Sequence, residues 1–175
     1  MDLFQANPTT TLVCISRTCA TKLNSLCQKA FLPEREIIAL RLCEEGADPQ
    51  KIPLQNGLPA RLTRNLNKRS RLVNGTAGTV RDVFDRTALV EIRGVMEPIR
   101  LWSERGRRFF PLARSYADTL AKRQGMTLPH VTIMPDVDYV PAAAYVGISR
   151  ARGLDDAMFL VRPDRAYFQP AAALS

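Results

Sequence analysis

The sequence is poor in histidine and tryptophan, with one of each among 175 residues. Its longest apolar stretch, Val140 to Ile148, is far shorter than the roughly 18 residues a membrane-spanning helix needs. It contains Pro141 and small residues, so it reads as a buried helix, and no membrane partner is expected. No basic-then-apolar leader opens the chain; Met1 to Thr10, polar and proline-bearing, is expected to be loose. The four cysteines (Cys14, Cys19, Cys27, Cys43) form no Cys-x-x-Cys pair, and His130 stands alone. Zinc sites draw on closely spaced Cys and His pairs, so no metal is expected. The thiols read as reduced, mostly buried side chains of an intracellular protein. Two further absences concern phosphate chemistry. There is no Gly-x-x-x-x-Gly-Lys-Ser/Thr loop and no acidic pair following an apolar strand. Such a loop cradles nucleotide phosphates, and such carboxylates hold the accompanying magnesium.

What is present is an ordinary globular composition, 46% hydrophobic and 24% charged, with a formal net charge of +8. The charge is unevenly placed. Residues 60–114 carry 13 Lys or Arg against 5 Asp or Glu, whereas the segments before and after are each balanced at 6 against 6. A concentrated positive segment attracts a polyanion and releases counterions on binding.

In order, Thr11 to Ile15 is an apolar run of strand length, followed from Thr18 by Leu23, Leu26, Cys27 and Ala30 at helical spacing, with Pro33 as the stop. A strand running into a helix is the unit of a parallel α/β sheet. Glu36 to Leu42 fits strand or short helix, and Gly46, Pro49, Pro53 and Gly57 mark loop chemistry. Short strand-like segments then follow closely: Ala60–Arg64, Thr79–Phe84, Ala88–Ile92 and Met96–Leu101, with a turn signal at Asn74-Gly75. That spacing suggests a small antiparallel barrel or meander. Beyond Arg105, Arg107 and Arg108 the pattern predicts a helix from Tyr116, a buried strand over Leu128–Met134, a small-residue helix over Ala142–Ser149 and a closing strand at Met158–Val161. Tyr145 reads as core. Asp136, Asp138, Asp155 and Asp156 read as solvated turns and helix ends.

The most specific stretch is Tyr116-Ala-Asp-Thr-Leu-Ala-Lys-Arg-Gln-Gly-Met-Thr-Leu128, followed by Tyr145-Val-Gly-Ile-Ser-Arg-Ala-Arg152. In order and spacing it closely resembles the last two signature motifs of the PIF-family and RecD-like DNA helicases. Two positions depart from the common pattern: Ala121 stands in place of His and Arg123 in place of Ser. Ser16, Arg17 and Asn24 more weakly resemble the opening of the family's second motor domain. Gly57 to Leu66 and Leu72 to Val80 resemble the lead into its inserted barrel.

The resemblance implies an α/β fold: a RecA-like parallel sheet flanked by helices and interrupted by a small antiparallel SH3-like β-barrel. Residues 1–57 would open the motor domain, 58–110 would form the basic barrel, and 111–175 would complete the motor with its last two motifs. It further implies that Arg150 reaches the γ-phosphate of ATP, where a planar guanidinium suits phosphate oxygens. The alternative for Arg150 is a cap on its own helix carbonyls. Gln124 and Gly125 would meet the nucleotide, while Thr119, Lys122, Arg123 and Thr127, with Arg64, Arg105, Arg107 and Arg108, would contact DNA.

The function expected from the resemblance is the carboxyl-terminal motor region of an ATP-dependent, five-prime to three-prime DNA helicase serving repair and recombination. Its partners would be single-stranded DNA and the missing amino-terminal motor half, in an intracellular, DNA-containing compartment such as the nucleus. ATP and Mg2+ would be used only in the complete motor and not held by this chain alone. The alternatives are a free-standing single-stranded nucleic-acid-binding module and a non-functional helicase remnant. Because the phosphate loop is missing, the purified chain is expected to hydrolyse no ATP above background, with or without DNA. A DNA-stimulated turnover that survives repurification would show the catalytic groups to be misassigned.

Overall fold

A computed structural model describes residues 10–32, 37–45, 49–137, 140 and 142–168. In chain order the early elements are β1 (Thr10–Cys14), α1 (Arg17–Phe31), β2 (Ile37–Cys43), β3 (Gln50–Gln55), β4 (Pro59–Leu62), β5 (Ala77–Val83) and β6 (Thr87–Ile92). Next come β7 (Val95–Arg100), β8 (Trp102–Glu104), β9 (Arg107–Phe109), β10 (Leu112–Arg114) and β11 (Ala117–Thr119). The last are α2 (Leu120–Arg123), β12 (His130–Met134), α3 (Ala143–Ile148) and β13 (Ala157–Phe159), with single 3-10 turns at Leu154–Asp156 and Arg165–Phe168. The expected stop at Pro33 and loose start over residues 1–9 lie outside the described residues.

Contacts divide the chain into two units, Met1–Leu23 with Ala117–Ser175, and Asn24–Tyr116. The first unit is a four-stranded sheet in the order β11-β1-β12-β13, with every pair parallel. β1 and β12 are central and covered on both faces, so their sequences are continuous apolar runs rather than alternations. Val13, Val131 and Ile133 pack there with Leu120, Leu128, Ala143, Ala144 and Tyr167. Gly147 lets α3 approach β12 closely: a Cβ built there would lie 2.7 Å from Ile133 Cδ1.

The helix expected from Tyr116 is instead a strand for its first three residues. Ala117, Asp118 and Thr119 pair with Leu12, Val13 and Cys14, and only Leu120–Arg123 is helical. Three residues are too few to show a period of two, so the pairing with a strand 105 positions earlier in the chain decides the matter. The helical stripe near the start is also rotated from expectation. Leu26 is 53% exposed, while Ala20, Asn24, Cys27 and Gln28 are buried.

Gln28 shows why polar residues can take that face in the second unit. Its amide donates to Pro53 O and Gln55 Oε1, both at 2.6 Å, and its carbonyl accepts from Arg114 Nη1 at 3.3 Å. Arg114 also pairs with Glu45 at 2.7 Å, both side chains being almost fully buried. Each buried polar group thus has a partner, as burial requires.

The main sheet of this unit is antiparallel, in the order β10-β4-β5-β6-β7, with β2-β3 and β8-β9 as separate two-stranded ribbons. β6 alternates as its sequence suggests, with Ala88, Val90 and Ile92 buried. β5 buries Val80 and Val83, three apart, because a register irregularity between Val80 and Asp82 inserts one residue. Glu36 to Leu42 resolves to the strand alternative, with Glu36 itself outside the described residues. Two hairpin turns were not legible beforehand. Arg93-Gly94 and Arg105-Gly106 both have positive φ (54° and 78°, 48° and 75°), as two-residue turns matching strand twist require.

Gly78 makes the closest backbone approach of this sheet, since a Cβ would lie 2.7 Å from Glu91 O and from the side chains of Val90 and Ile92. Gly78→Ala is expected to destabilise the protein by about 3 kcal/mol, as overpacking against backbone does. Gly94→Ala, where nothing lies within 4 Å, should cost only about 1 kcal/mol, the strain of its positive φ. Equal denaturant midpoints for the two variants would contradict the packing described.

Candidate functional site

Cys14 is paired to Thr119 on one side and to Met134 on the other, so β1, β11 and β12 end on one row. The carboxyl ends of parallel strands are where α/β sheets commonly place their chemistry. Two carboxylates organise this row. Asp136 accepts from the backbone N–H of Ile15 at 2.6 Å and of Ser16 at 3.2 Å, and from the Ser16 hydroxyl. Ser16 Oγ in turn accepts from Cys19 N at 3.0 Å, capping the start of α1. Asp136 is therefore no solvated turn residue; it holds the β1–α1 connection. Asp138 lies outside the described residues, and Asp155 is exposed.

Asp118 is the second carboxylate, 3% exposed. It accepts from Thr119 N at 3.0 Å and pairs with Arg123 Nε at 3.3 Å and Lys122 Nζ at 3.8 Å. Sequence reading passed over Asp118, although an acid with Lys and Arg four and five residues on signals such a pairing. Its consequence is that Arg123 is buried, with Nη1 3.9 Å from Met126 Sδ, and Thr119 is buried as well. Neither presents its side chain to solvent. Lys122, Gln124, Gly125 and Thr127 do.

Cys14 Sγ, Cys19 Sγ and a carboxylate oxygen of Asp136 lie within 4.8 Å of one another. Burial first, then the Cys19 and Asp136 groups beside it, push the Cys14 thiol well up; burial and then Asp136 raise Cys19 as well. A metal needs thiolates, and Asp136 is already engaged by the β1–α1 turn. The chemistry of this trio favours protonated thiols. Burial likewise raises Cys27 to about 11 and Cys43 to about 12.

The two signature stretches meet at the amino end of β12. Leu128 N donates to Arg150 O at 2.7 Å, and Leu128 bridges Ala151 in parallel. The segment after Gln124-Gly125 thus runs beside the segment bearing Arg150. Gly125 has φ +80° and open space where a side chain would stand, so its backbone is approachable. The Arg150 side chain is half-buried and turned onto its own helix: Nε donates to Val146 O at 3.3 Å and Nη2 to Ser149 Oγ at 2.9 Å. Tyr145, expected in the core, is 70% exposed, because the buried face of α3 falls on Ala143, Ala144 and Gly147. His130 and Asp156, 3.1 Å apart, close the same end of β12, so Asp156 too is more than a solvated helix end.

In the second unit, Arg64 is held by Glu44 in a fork (2.9 and 2.6 Å) and by Glu104 at 2.6 Å, with its guanidinium 6.0 Å from the Trp102 ring. Arg105, Arg107 and Arg108 are exposed.

No protein-family profile matches the chain. It is similar to the ATP-dependent DNA helicase PIF1 of Xenopus laevis, with 32% identity over 120 residues, covering 61% of this chain and 19% of that protein. Its fold is that of solved Pif1 helicases. A Pif1 structure addressing how two coordinating helicases unwind forked DNA superposes with a TM-score of 0.74 at 22% identity, over 95% of this chain and 42% of that one. Pif1 from Bacteroides in complex with ADP-AlF3 and single-stranded DNA gives 0.71 at 19% identity over 94% and 43%. Pif1 from Candida albicans gives 0.70 at 19% identity over 95% and 48%. The chain thus spans about a fifth of the curated relative and under half of each solved one.

The two acidic residues read alike from sequence should behave differently. Asp136→Ala is expected to cost about 3 kcal/mol, since it strips charged acceptors from two backbone N–H groups and a hydroxyl. Asp155→Ala, exposed, should change stability by less than about 0.5 kcal/mol. Urea unfolding of both variants is the check.

Proposed function

We propose that this homologue of the Pif1 helicases is a second motor region of an ATP-dependent, five-prime to three-prime DNA helicase. It supplies contacts to single-stranded DNA and an arginine for the γ-phosphate. The observation that carries the reading is the junction of Leu128 with Arg150 and Ala151, which lays the two signature segments side by side. A change of conformation in the Gln124–Leu128 turn therefore acts directly on the backbone of Arg150. That is the arrangement a nucleotide-to-DNA coupling element needs.

The chain's own residues do not make a complete nucleotide site. It has no phosphate loop. The carboxylates that could serve magnesium in this unit, Asp118 and Asp136, are taken up by Arg123, Lys122 and the β1–α1 turn. The phosphate loop and its magnesium carboxylates belong, in this reading, to a separate amino-terminal motor half, acting in cis or in trans. Arg150 fits the remaining role. Its guanidinium is held by one hydrogen bond to a carbonyl and one to a hydroxyl, with no ion pair among the described residues, so both bonds are exchangeable for phosphate oxygens. Gln124 and the Gly125 backbone stand beside it as nucleotide contacts, and Lys122 and Thr127 as DNA contacts. Arg123 and Thr119 would join them only if the Asp118 pairing opened. The five-stranded sheet from β4 to β10 is read as the inserted small barrel, SH3-like in the relatives' manner. Work in DNA repair and recombination, within a DNA-containing compartment, follows from the same reading.

The test is reconstitution. Co-expression or fusion with the amino-terminal motor half of a related helicase should restore DNA-stimulated ATP hydrolysis. Arg150→Ala should then lower turnover on the order of 10³-fold while leaving DNA binding in place. Arg152→Ala, exposed and two positions on, should cost much less. Turnover unchanged by Arg150→Ala in an active reconstituted motor would overturn the assignment. DNA binding without any reconstituted hydrolysis would favour a free-standing binding module, and neither activity a remnant.

A further inference from the structure

The arginines of the basic segment are not equivalent once the strands are paired. β8 and β9 form a two-stranded ribbon in which Ser103 faces Arg108 and Glu104 faces Arg107. Successive residues of a strand point to opposite faces, so Arg107 and Arg108 leave the ribbon on opposite sides. On the Arg107 side lies a cleft lined also by Arg64, Arg105, Glu44 and Glu104, where the acids meet the bases. The other side has no such balance. A second cleft of about 440 Å³, open to solvent, is lined by Arg86, Thr87, Arg100, Leu101, Ser103 and Arg108, three guanidiniums and no carboxylate.

Its construction is regular. Thr87 at the start of β6 faces Arg100 at the end of β7, just as Ser103 faces Arg108 on the next ribbon. Directly opposed residues have neighbouring side chains on the same face. Each ribbon therefore contributes one arginine with one hydroxyl beside it. The backbone bond from Leu101 N to Arg86 O, 3.2 Å, ties the third arginine to the point where the two ribbons join. Among the described residues neither Arg100 nor Arg108 has an ion-pair partner. Arg86 has only Asp85, at 3.5 Å with both side chains largely in water, a contact worth little.

We propose that this cleft is a binding site for the phosphodiester backbone of single-stranded nucleic acid, with Arg86, Arg100 and Arg108 as its cations and Thr87 and Ser103 as neutral donors. The inference rests on the nucleic-acid-binding part of the proposed function and locates it on residues that sequence reading left aside. Arginine forks and hydroxyls are the donors that phosphate oxygens accept from. Two arginine–hydroxyl pairs on adjoining ribbons suit two successive phosphates rather than one anion. An open cleft with Leu101 in its lining admits a strand passing through. Arg64, satisfied by Glu44 and Glu104, is by contrast a structural residue.

The experiment measures binding of the full chain to a short oligothymidylate across a salt series. Arg86→Gln, Arg100→Gln and Arg108→Gln combined should weaken binding at least about tenfold. They should also flatten the salt dependence by about 2, near 0.7 for each lost single-strand phosphate contact. An equal charge loss elsewhere, Lys68→Gln, Arg69→Gln and Arg71→Gln, should change affinity less than about threefold. Replacing the three cleft arginines by lysine should restore most of the salt slope, which a purely structural defect would not allow. If both glutamine triples weaken binding alike, or neither does, the cleft is not the site, while nucleic-acid binding by the chain still stands. If the wild-type chain binds free tripolyphosphate in this cleft but no oligonucleotide, the ligand class is wrong. If it binds neither, the DNA-contact reading fails along with the cleft.

Discussion

The two-sided pairing of β1 is the constraint on which the first unit depends. Its backbone is bonded on one edge to Ala117–Thr119 and on the other to His130–Met134, segments more than a hundred residues away in the chain. A central parallel strand has no local partner, so its N–H and C=O groups are satisfied only when distant segments return to it. Once they do, the ends of three strands fall on the Cys14 row. The side chains that follow those ends, Ser16, Leu120 and Asp136, are then placed by register and not by local preference.

Carboxylates turn that row from a sheet edge into an ordered site. Asp136 holds the turn that starts α1, and Asp118 holds the cations that follow β11. Both acids trade hydration for several charged hydrogen bonds, the only way a buried carboxylate is tolerated. Arg123 is a product of this arrangement. At a position where the related helicases commonly carry serine, it is drawn inward by Asp118 and becomes part of the support of the turn. The same logic orders the second unit, where Arg114, Glu45, Gln28 and Gln55 satisfy one another in the interior.

Strand alternation does for the basic segment what burial does for these acids. Arg107 and Arg108 are adjacent in sequence and count equally toward the net charge, yet pairing sends one toward Glu44 and Glu104 and the other toward Arg86 and Arg100. A positive segment thereby separates into a neutralised face and a purely cationic one. Only the second carries a potential with which an anion can exchange water and counterions to advantage.

Much of this protein was legible in residue order. The α/β class, the strand at Thr11–Ile15, the closely spaced strands of the basic segment and the buried strand at His130–Met134 all follow from periodicity, because each is long enough to show its period. The Gln124-Gly125 turn and Arg150 were legible as a motif. Other features had no local signature. Ala117–Thr119 is a strand because β1 offers an open edge, and Tyr145 is exposed because Gly147 and two alanines occupy the packed face of its short helix. Asn24 and Gln28 are buried in place of Leu26 because the packed face of α1 turns them inward; for Gln28, Pro53, Gln55 and Arg114 supply its hydrogen bonds. The roles of Asp118 and Asp136, and the division of the arginines, depend on which strands pair and in what register. Local sequence carries each residue's charge and period; where that charge points is a property of long-range hydrogen bonding, and tertiary structure alone decides it.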